Sequence, residues 1–312
     1  MLLDALRSVA GEGVERIVVD NGSTDGSPEA AGALGPDVRL LRTGSNVGYA
    51  QACDLAASEA RGEFLMFLNN DATLEPGCLD RLLEEADIDQ RTAVWQPVVT
   101  ADRSGFESAG GMFTRAGFIW RLSEPLTDRP YPVFTAMGPC LLVRRRVFED
   151  VGGFDPSLFA YSEDVDLCWQ VRLAGYEVKV VPRALVLHRG GTTTARILSP
   201  ERIYHLGYRN RLRTILANSA PLTLAVVLPI HLAASLAVVV GFLVRGRPAA
   251  ALAIARGLVW PLTNIGRIRA RRGETKRIRL LSDTELLRPD LMFKLTPARA
   301  LQLFRGSVGR WA

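Results

Sequence analysis

Three short blocks hold the residues whose types and spacing suit chemistry. The first is Val18-Val19-Asp20-Asn21-Gly22-Ser23-Thr24-Asp25-Gly26-Ser27, between an apolar run and a helical pattern. Its glycines and short polar side chains can bring backbone and carboxylate close to a nucleoside. Asp-Gly and Asn-Gly are equally the dipeptides of ordinary turns. The second block has Asn46 and Gly48 ahead of a helix, then Phe64–Leu68 running into Asn69-Asn70-Asp71. A carboxylate at the end of an apolar strand can hold Mg²⁺ or Mn²⁺, because a diphosphate and water supply most of the ligands. A turn merely capped by Asn and Asp would read the same way. The third block is Gly152-Gly153-Phe154-Asp155 followed by Tyr161-Ser162-Glu163-Asp164-Val165-Asp166-Leu167-Cys168-Trp169. Ser162 can cap a helix and acids in its first turn suit the dipole. Capping does not require three acids, and a carboxylate such as Asp164 can act as general base on a hydroxyl. His188, after the apolar residues 184–187, is either a structural histidine or a metal ligand, direct or at one remove.

The elements that must position these blocks alternate. Apolar spacing over Leu2, Leu3, Leu6 and Val9 gives a helix, and residues 14–19 a buried strand ending at Asp20. A helix follows, with Ser27 as its cap and Pro28 as its first residue. Then come a strand at residues 38–42, a helix at 49–60, a strand at 64–68 and a helix at 79–86. This is a doubly wound α/β pattern, in which ligands sit outside the carboxyl ends of the strands. Asp20, Asn21, Asn69, Asn70 and Asp71 fall there. An earlier parallel strand is expected before the first helix, and the chain shows none. Residues 92–143 change to short β-prone runs with glycine pairs, read as hairpins. A helix over 163–174, closed by Gly175, and a strand at 177–181 complete this part.

Charge separates the chain into two parts. Residues 1–190 hold 18 Lys and Arg against 28 Asp and Glu, a net −10; residues 191–312 hold 20 against 5, a net +15. The basic part is interleaved with long apolar runs, not stacking aromatics, so an anionic membrane surface fits it better than nucleic acid. Residues 222–244 carry no Asp, Glu, Lys or Arg, a length sufficient to span a bilayer. Arginines flank this run on both sides, so a single span would export one basic flank. The second apolar stretch, 249–262, resolves this if the pair forms a hairpin or re-entrant anchor with both ends cytoplasmic; Pro229 and Pro261 suit bent helices. The 4 cysteines, Cys53, Cys78, Cys140 and Cys168, form no C-x-x-C pair and read as reduced thiols. No basic-then-apolar leader opens the chain.

In this order the three blocks resemble the family 2 glycosyltransferases, particularly bacterial rhamnosyltransferase-like members that build cell-surface polysaccharides. The resemblance covers roughly residues 2–215. It implies a GT-A fold, a Rossmann-like doubly wound mixed sheet, over residues 1–215 and a membrane-associated helical tail over 216–312. It also implies a nucleotide-diphosphate sugar donor, inversion at the anomeric carbon and a lipid-linked or polysaccharide acceptor. Carried over by residue, Asp20, Asn21, Ser23 and Asp25 meet the nucleoside, with Asn46, Gly48, Asn69 and Asn70 lining the same pocket. Asp71 is the last acid of the family's D-x-D and binds the cation, with His188 completing its coordination. Asp164 is the catalytic base, and Gly153, Glu163, Asp166 and Trp169 are expected on the acceptor side. The D-x-D reads Asn69-Asn70-Asp71, with an amide in place of the first acid. Rhamnose is the first choice of sugar and the cytoplasmic membrane face the expected location. Two other readings are a nucleotidyltransferase, which would want a Gly-rich loop followed by a basic residue near the first strand, and an inactive membrane-anchored nucleotide-sugar-binding subunit.

Overall fold

The computed structural model describes residues 1–101, 105–190, 198–294 and 296. The chain divides into two compact units, Met1–Gly111 with Arg121–Gly190, and Met112–Trp120 with Gly191–Ala312. The division falls at Gly190, ahead of the boundary after residue 215 expected from sequence.

The first unit opens with α1 (Leu2–Ser8), β1 (Arg16–Asp20), α2 (Ser27–Gly32), β2 (Val38–Arg42) and α3 (Tyr49–Glu59). β1 and β2 pair in parallel as a two-stranded sheet, with Asp20 opposite Arg42. A seven-stranded mixed sheet follows. Its strands are β3 (Phe64–Leu68), β4 (Ala72–Leu74), β5 (Thr92–Ala101), β6 (Gly105–Ser108), β9 (Tyr131–Pro132), β10 (Cys140–Arg144) and β11 (Glu177–His188). Along its main path the order is β3-β10-β5-β11-β4, with β6 beside β5 and β9 beside β11. β5 is central because its first eight residues, Thr92 to Val99, are all buried, the near-continuous apolar run that a strand covered on both faces requires. The helices α4 (Cys78–Ile88), α5 (Arg145–Asp150) and α6 (Glu163–Leu173) complete the unit. Leu82 and Ala86 of α4 pack with Trp95, Leu142 and Val186 in one core cluster.

The helix-start expectation for α2 is corrected. Gly26 is the cap, with φ 74°, and Ser27 is the first helical residue. The bend is left-handed, which glycine adopts without strain. The strand expected at 177–181 continues to His188, because three residues after Val181 bulge out and pairing with β5 resumes at Leu185. All four cysteines are free, three of them buried.

The second unit is helical apart from β7 (Gly111–Thr114), β8 (Ile119–Arg121) and β12 (Met292–Phe293), which form a small sheet in the order β12-β7-β8. Its helices are α7 (Pro200–Asn218), α8 (Pro221–Val244), α9 (Pro248–Thr263), α10 (Ile265–Ile278) and α11 (Asp283–Leu286). α7 belongs here because Tyr204 and Tyr208 are covered by Val238 and Phe242 of α8 and by Ala250, Ala251 and Ile254 of α9. Among the described residues α8 alone is long and apolar enough by itself to cross a membrane; α9 and α10 meet at a 72° bend and pass that test only as a pair.

Candidate active site

The turns after β1 and β2 are sewn together by amides. Asn21 accepts the Val47 N–H at 2.8 Å and donates through Nδ2 to the Gly48 carbonyl at 3.2 Å and to Asn46 Oδ1 at 3.3 Å. Asn46 in turn accepts the Gly48 N–H at 3.0 Å. Asn21, Asn46 and Gly48 therefore share one place. Gly48 has φ 93°, and a Cβ there would meet the Phe159 carbonyl oxygen at 2.6 Å, so only glycine fits. Asp20 accepts the Ser23 N–H at 2.8 Å, and this bond holds its exposed carboxyl below the ordinary range. Asp25 accepts the Ser27 N–H at 3.1 Å, a local turn at the start of α2. The backbone between β1 and α2 thus presents Asp20, Ser23 and Asp25 on one exposed turn.

From Gly48 the connection runs to the third block. Tyr49 donates its N–H to the Phe159 carbonyl at 2.6 Å. Phe159, Tyr161 and Ser162 all have positive φ, 64°, 71° and 68°. Three such residues without glycine are costly, and strain of this kind gathers where function needs it. Ser162 stands at the N-cap position of α6 in this left-handed conformation and makes no side-chain cap bond, contrary to the capping role expected of it. α6 starts immediately with Glu163 and Asp164.

Asp164 accepts the Gly138 N–H at 2.9 Å and the Val165 N–H at 2.7 Å. The neighbouring Pro139 carbonyl accepts the Asn69 N–H at 2.8 Å, where β10 runs antiparallel to β3. Two adjacent residues therefore tie the α6 carboxylate to the turn Asn69-Asn70-Asp71. Burial raises the Asp164 carboxyl, and the two N–H bonds oppose the rise. Glu163 has one carboxylate oxygen buried without a hydrogen-bond partner. Burial, and then the charge of Asp164, push its carboxyl up to about 8. The two carboxyls therefore differ in surroundings: backbone N–H groups stabilise the charged form of Asp164, and nothing comparable faces the buried oxygen of Glu163.

Asp71 is buried at the start of β4, Asn70 is exposed, and the Asp71 carbonyl accepts the Arg189 N–H at 3.0 Å. That bond and the pairing of Ala72 with His188 bring the end of β11 beside Asp71. His188 Nε2 lies 3.3 Å from Asp71 Oδ1, and Nδ1 lies 2.9 Å from Glu107 Oε2. Burial lowers the imidazole, but its bonds to Asp71 and Glu107 outweigh that and lift it to about 9. The hydrogen bond from His188 holds the Asp71 carboxyl below its ordinary range. Among the described residues no three His, Cys, Asp or Glu side chains form a metal cage. One buried carboxylate and one imidazole facing each other fit a divalent cation that takes its remaining ligands from a diphosphate and water. Glu107 was not singled out from sequence, because it stands in a stretch read only as hairpins.

Three residues expected on the acceptor side have these places in the structure. Asp166 is fully buried, two residues beyond Asp164 and so on another face of α6. Trp169 is buried edge-on against Phe134, with ring centroids 5.2 Å apart. Gly153 serves the backbone: with φ 67° it lets the chain pass Asp54, whose Oδ1 would lie 2.8 Å from an added Cβ. Phe154, next in sequence, packs on Phe67 and Phe148 at 4.9 and 5.4 Å, so this part of the block is a core turn. Glu163 stands beside Asp164 at the start of α6.

Residues 1–152 match the family described as Glycosyl transferase family 2. An N-acetylglucosaminyl-diphospho-decaprenol L-rhamnosyltransferase of Mycobacterium tuberculosis is 36% identical over 211 residues, covering 59% of this chain and 69% of that protein. The chain belongs to glycosyl transferase family 2. It is a glycosyltransferase, and the nucleotidyltransferase reading falls with that membership. The fold agrees. S. aureus TarS 1-349 in complex with UDP-GlcNAc matches with a TM-score of 0.58 at 16% identity, covering 89% of this chain and 86% of that one. The mannosyltransferase PcManGT of Pyrobaculum calidifontis, in complex with GDP-Man and Mn²⁺, matches with a TM-score of 0.51 at 16% identity, covering 88% and 79%. The mixed sheet of the first unit is thus a GT-A glycosyltransferase sheet.

Proposed function

We propose that this glycosyltransferase moves a sugar, rhamnose being the first choice, from a nucleotide-diphosphate donor to a lipid-linked glycan at the cytoplasmic face of a membrane. The observation that carries the reading is the hydrogen-bonded path joining the turn of Asn21, Asn46 and Gly48, the carboxylate of Asp164 and the Asp71–His188 pair. The 36% identical rhamnosyltransferase supports the choice of sugar and of a polyprenyl-diphosphate acceptor.

In this reading the turn holding Asp20, Asn21, Ser23 and Asp25 receives the nucleoside, with Asn46 and Gly48 completing the pocket and Asn69 and Asn70 beside the diphosphate. Asp71 and His188 hold the divalent cation, Mg²⁺ or Mn²⁺, which when bound offsets the negative charge gathering on the diphosphate. Asp164 accepts the proton of the acceptor hydroxyl as that oxygen attacks the anomeric carbon and the nucleoside diphosphate leaves from the opposite face, inverting the centre. The pair with Glu163 suits this work, because a base with a raised pKa accepts a hydroxyl proton more readily. The first unit carries donor and chemistry. The second carries the address: α8 is about 36 Å long at 1.5 Å per residue, against a hydrocarbon thickness of about 30 Å. The bent α9–α10 pair and its arginines keep both ends at an anionic surface, and an anchored enzyme meets a bilayer-borne acceptor at raised effective concentration.

A panel of nucleotide sugars with Mn²⁺ or Mg²⁺, scored for thermal stabilisation and for acceptor-dependent diphosphate release, tests the proposal. Deoxythymidine-diphosphate rhamnose is expected to score highest in both. Stabilisation without release from any donor, with a polyprenyl-diphosphate glycan present, would favour the non-catalytic binding subunit.

A further inference from the structure

We propose that Glu107 is a positioning residue for His188, holding Nδ1 so that Nε2 is presented to the cation shared with Asp71. The inference rests on the cation reading above.

The sheet itself sets Glu107 apart. In the β5–β6 ladder Val99 is opposite Ser108 and Thr100 opposite Phe106, which leaves Glu107 as the extra residue of a bulge. An extra residue bends its strand and re-aims its side chain, and bulges of this kind recur beside active sites. Both carboxylate oxygens of Glu107 are used: Oε2 lies 2.9 Å from His188 Nδ1 and Oε1 lies 3.5 Å from Arg121 Nη1. The flanking residue Ser108 is buried and accepts a hydrogen bond from Gln96 at 3.3 Å, which pins the bulge to the core strand. On the other side of the ring, Nε2 faces Asp71 Oδ1 at 3.3 Å. The imidazole is thus fixed at both nitrogens by carboxylates with different duties. A histidine that binds a metal through one nitrogen commonly donates the other N–H to a carboxylate, which fixes ring orientation and tautomer. Glu107 stands where that carboxylate must be, and Arg121 steadies it.

A bare ion pair closing the strand ends is the competing account, and metal affinity separates the two. Mn²⁺ binding to the full chain would be followed by electron paramagnetic resonance with inorganic diphosphate present, comparing wild type with Glu107→Met, Glu107→Gln and His188→Ala. Glu107→Met keeps the size and loses the acceptor; it should weaken Mn²⁺ about tenfold or more. Glu107→Gln keeps an oxygen that accepts Nδ1–H and should bind near the wild-type level. The chain has 3 histidines, so ring ¹⁵N spectra can be assigned. With Mg²⁺ and diphosphate bound, His188 should show a protonated Nδ1 in wild type and lose that signature in Glu107→Met. Unchanged Mn²⁺ affinity in Glu107→Met, with His188→Ala weakened, would overturn the role of Glu107 alone, even if the variant melts at lower temperature. Unchanged affinity in both variants, or no binding by wild type, would overturn the cation reading and this inference with it.

Discussion

Asp164 and Glu163 are neighbours in sequence with unequal surroundings. Two backbone N–H groups face the first, while an oxygen of the second is buried without a partner. Asp164→Asn keeps the size and loses the base, so turnover should fall roughly hundredfold or more while donor binding holds. Glu163 yields a prediction about stability. Burial, and then the charge of Asp164, push its carboxyl up to about 8 from the ordinary 4.5. Such a group adds stability below its unfolded pKa and loses that contribution as pH rises through the folded one. Glu163→Gln should therefore flatten the decline in melting temperature between about pH 5 and about pH 9, by a few degrees. Calorimetry across that range checks it; parallel curves for variant and wild type would contradict it. Asp164 and Asp71 stand out in the sequence because each is an acid at the end of an element. The burial of Asp166 and Trp169 is not legible from the motif alone, because residues two and five apart on a helix face different ways and the sequence does not say which face is covered. Glu107 left no signal, since a bulge shows only when both strands are in register.

Loops at the strand ends carry the proposed site, and two contacts test how they are held. Gly48→Ala would place a Cβ 2.6 Å from the Phe159 carbonyl at φ 93°. A cost of about 1–3 kcal/mol is expected, along with weaker donor binding, because the same glycine joins Asn21 to the loop before α6. Urea unfolding and donor titration measure the two effects. Farther from the chemistry, Asp89 at the end of α4 is hydrogen-bonded by Lys179 of β11 and by Thr92. Burial raises its carboxyl, yet these bonds prevail and hold it at about 2. A depressed acid contributes stability above its unfolded pKa and loses it as pH falls through the folded one. Asp89→Asn should therefore be less stable than wild type at pH 7, with the difference closing between about pH 4 and about pH 2. Helix and strand identities over residues 38–68 and 79–88 were legible because apolar periodicity and glycine breaks agree there; the three-residue β4 between them is too short to show a period. The hairpins between β5 and β10 were legible only as a class, since pairing depends on partners distant in sequence. The full length of β11 was hidden by Pro182, which stands within a bulge.

Charge and apolar content separate across the whole chain, with a net −10 before residue 191 and +15 after it. Leu222, Val226, Ile230, Leu236, Val240 and Val244 of α8 are exposed, a face that suits the proposed contact with lipid. The full chain should float with phosphatidylglycerol vesicles, and a high-salt wash should remove only part of it, because salt screens the arginines but not apolar burial. Complete release by salt would reduce the tail to a surface contact. Sugar transfer and the part proposed for Asp164 in it can be measured together. Transfer of labelled rhamnose from deoxythymidine-diphosphate rhamnose to a polyprenyl-diphosphate N-acetylglucosamine would be timed with Mn²⁺ for wild type and Asp164→Asn, with donor affinity measured in parallel. The expected result is a wild-type rate that chelator abolishes and an Asp164→Asn rate at least about a hundredfold lower at unchanged donor affinity. An Asp164→Asn enzyme transferring within a few-fold of wild type would contradict it.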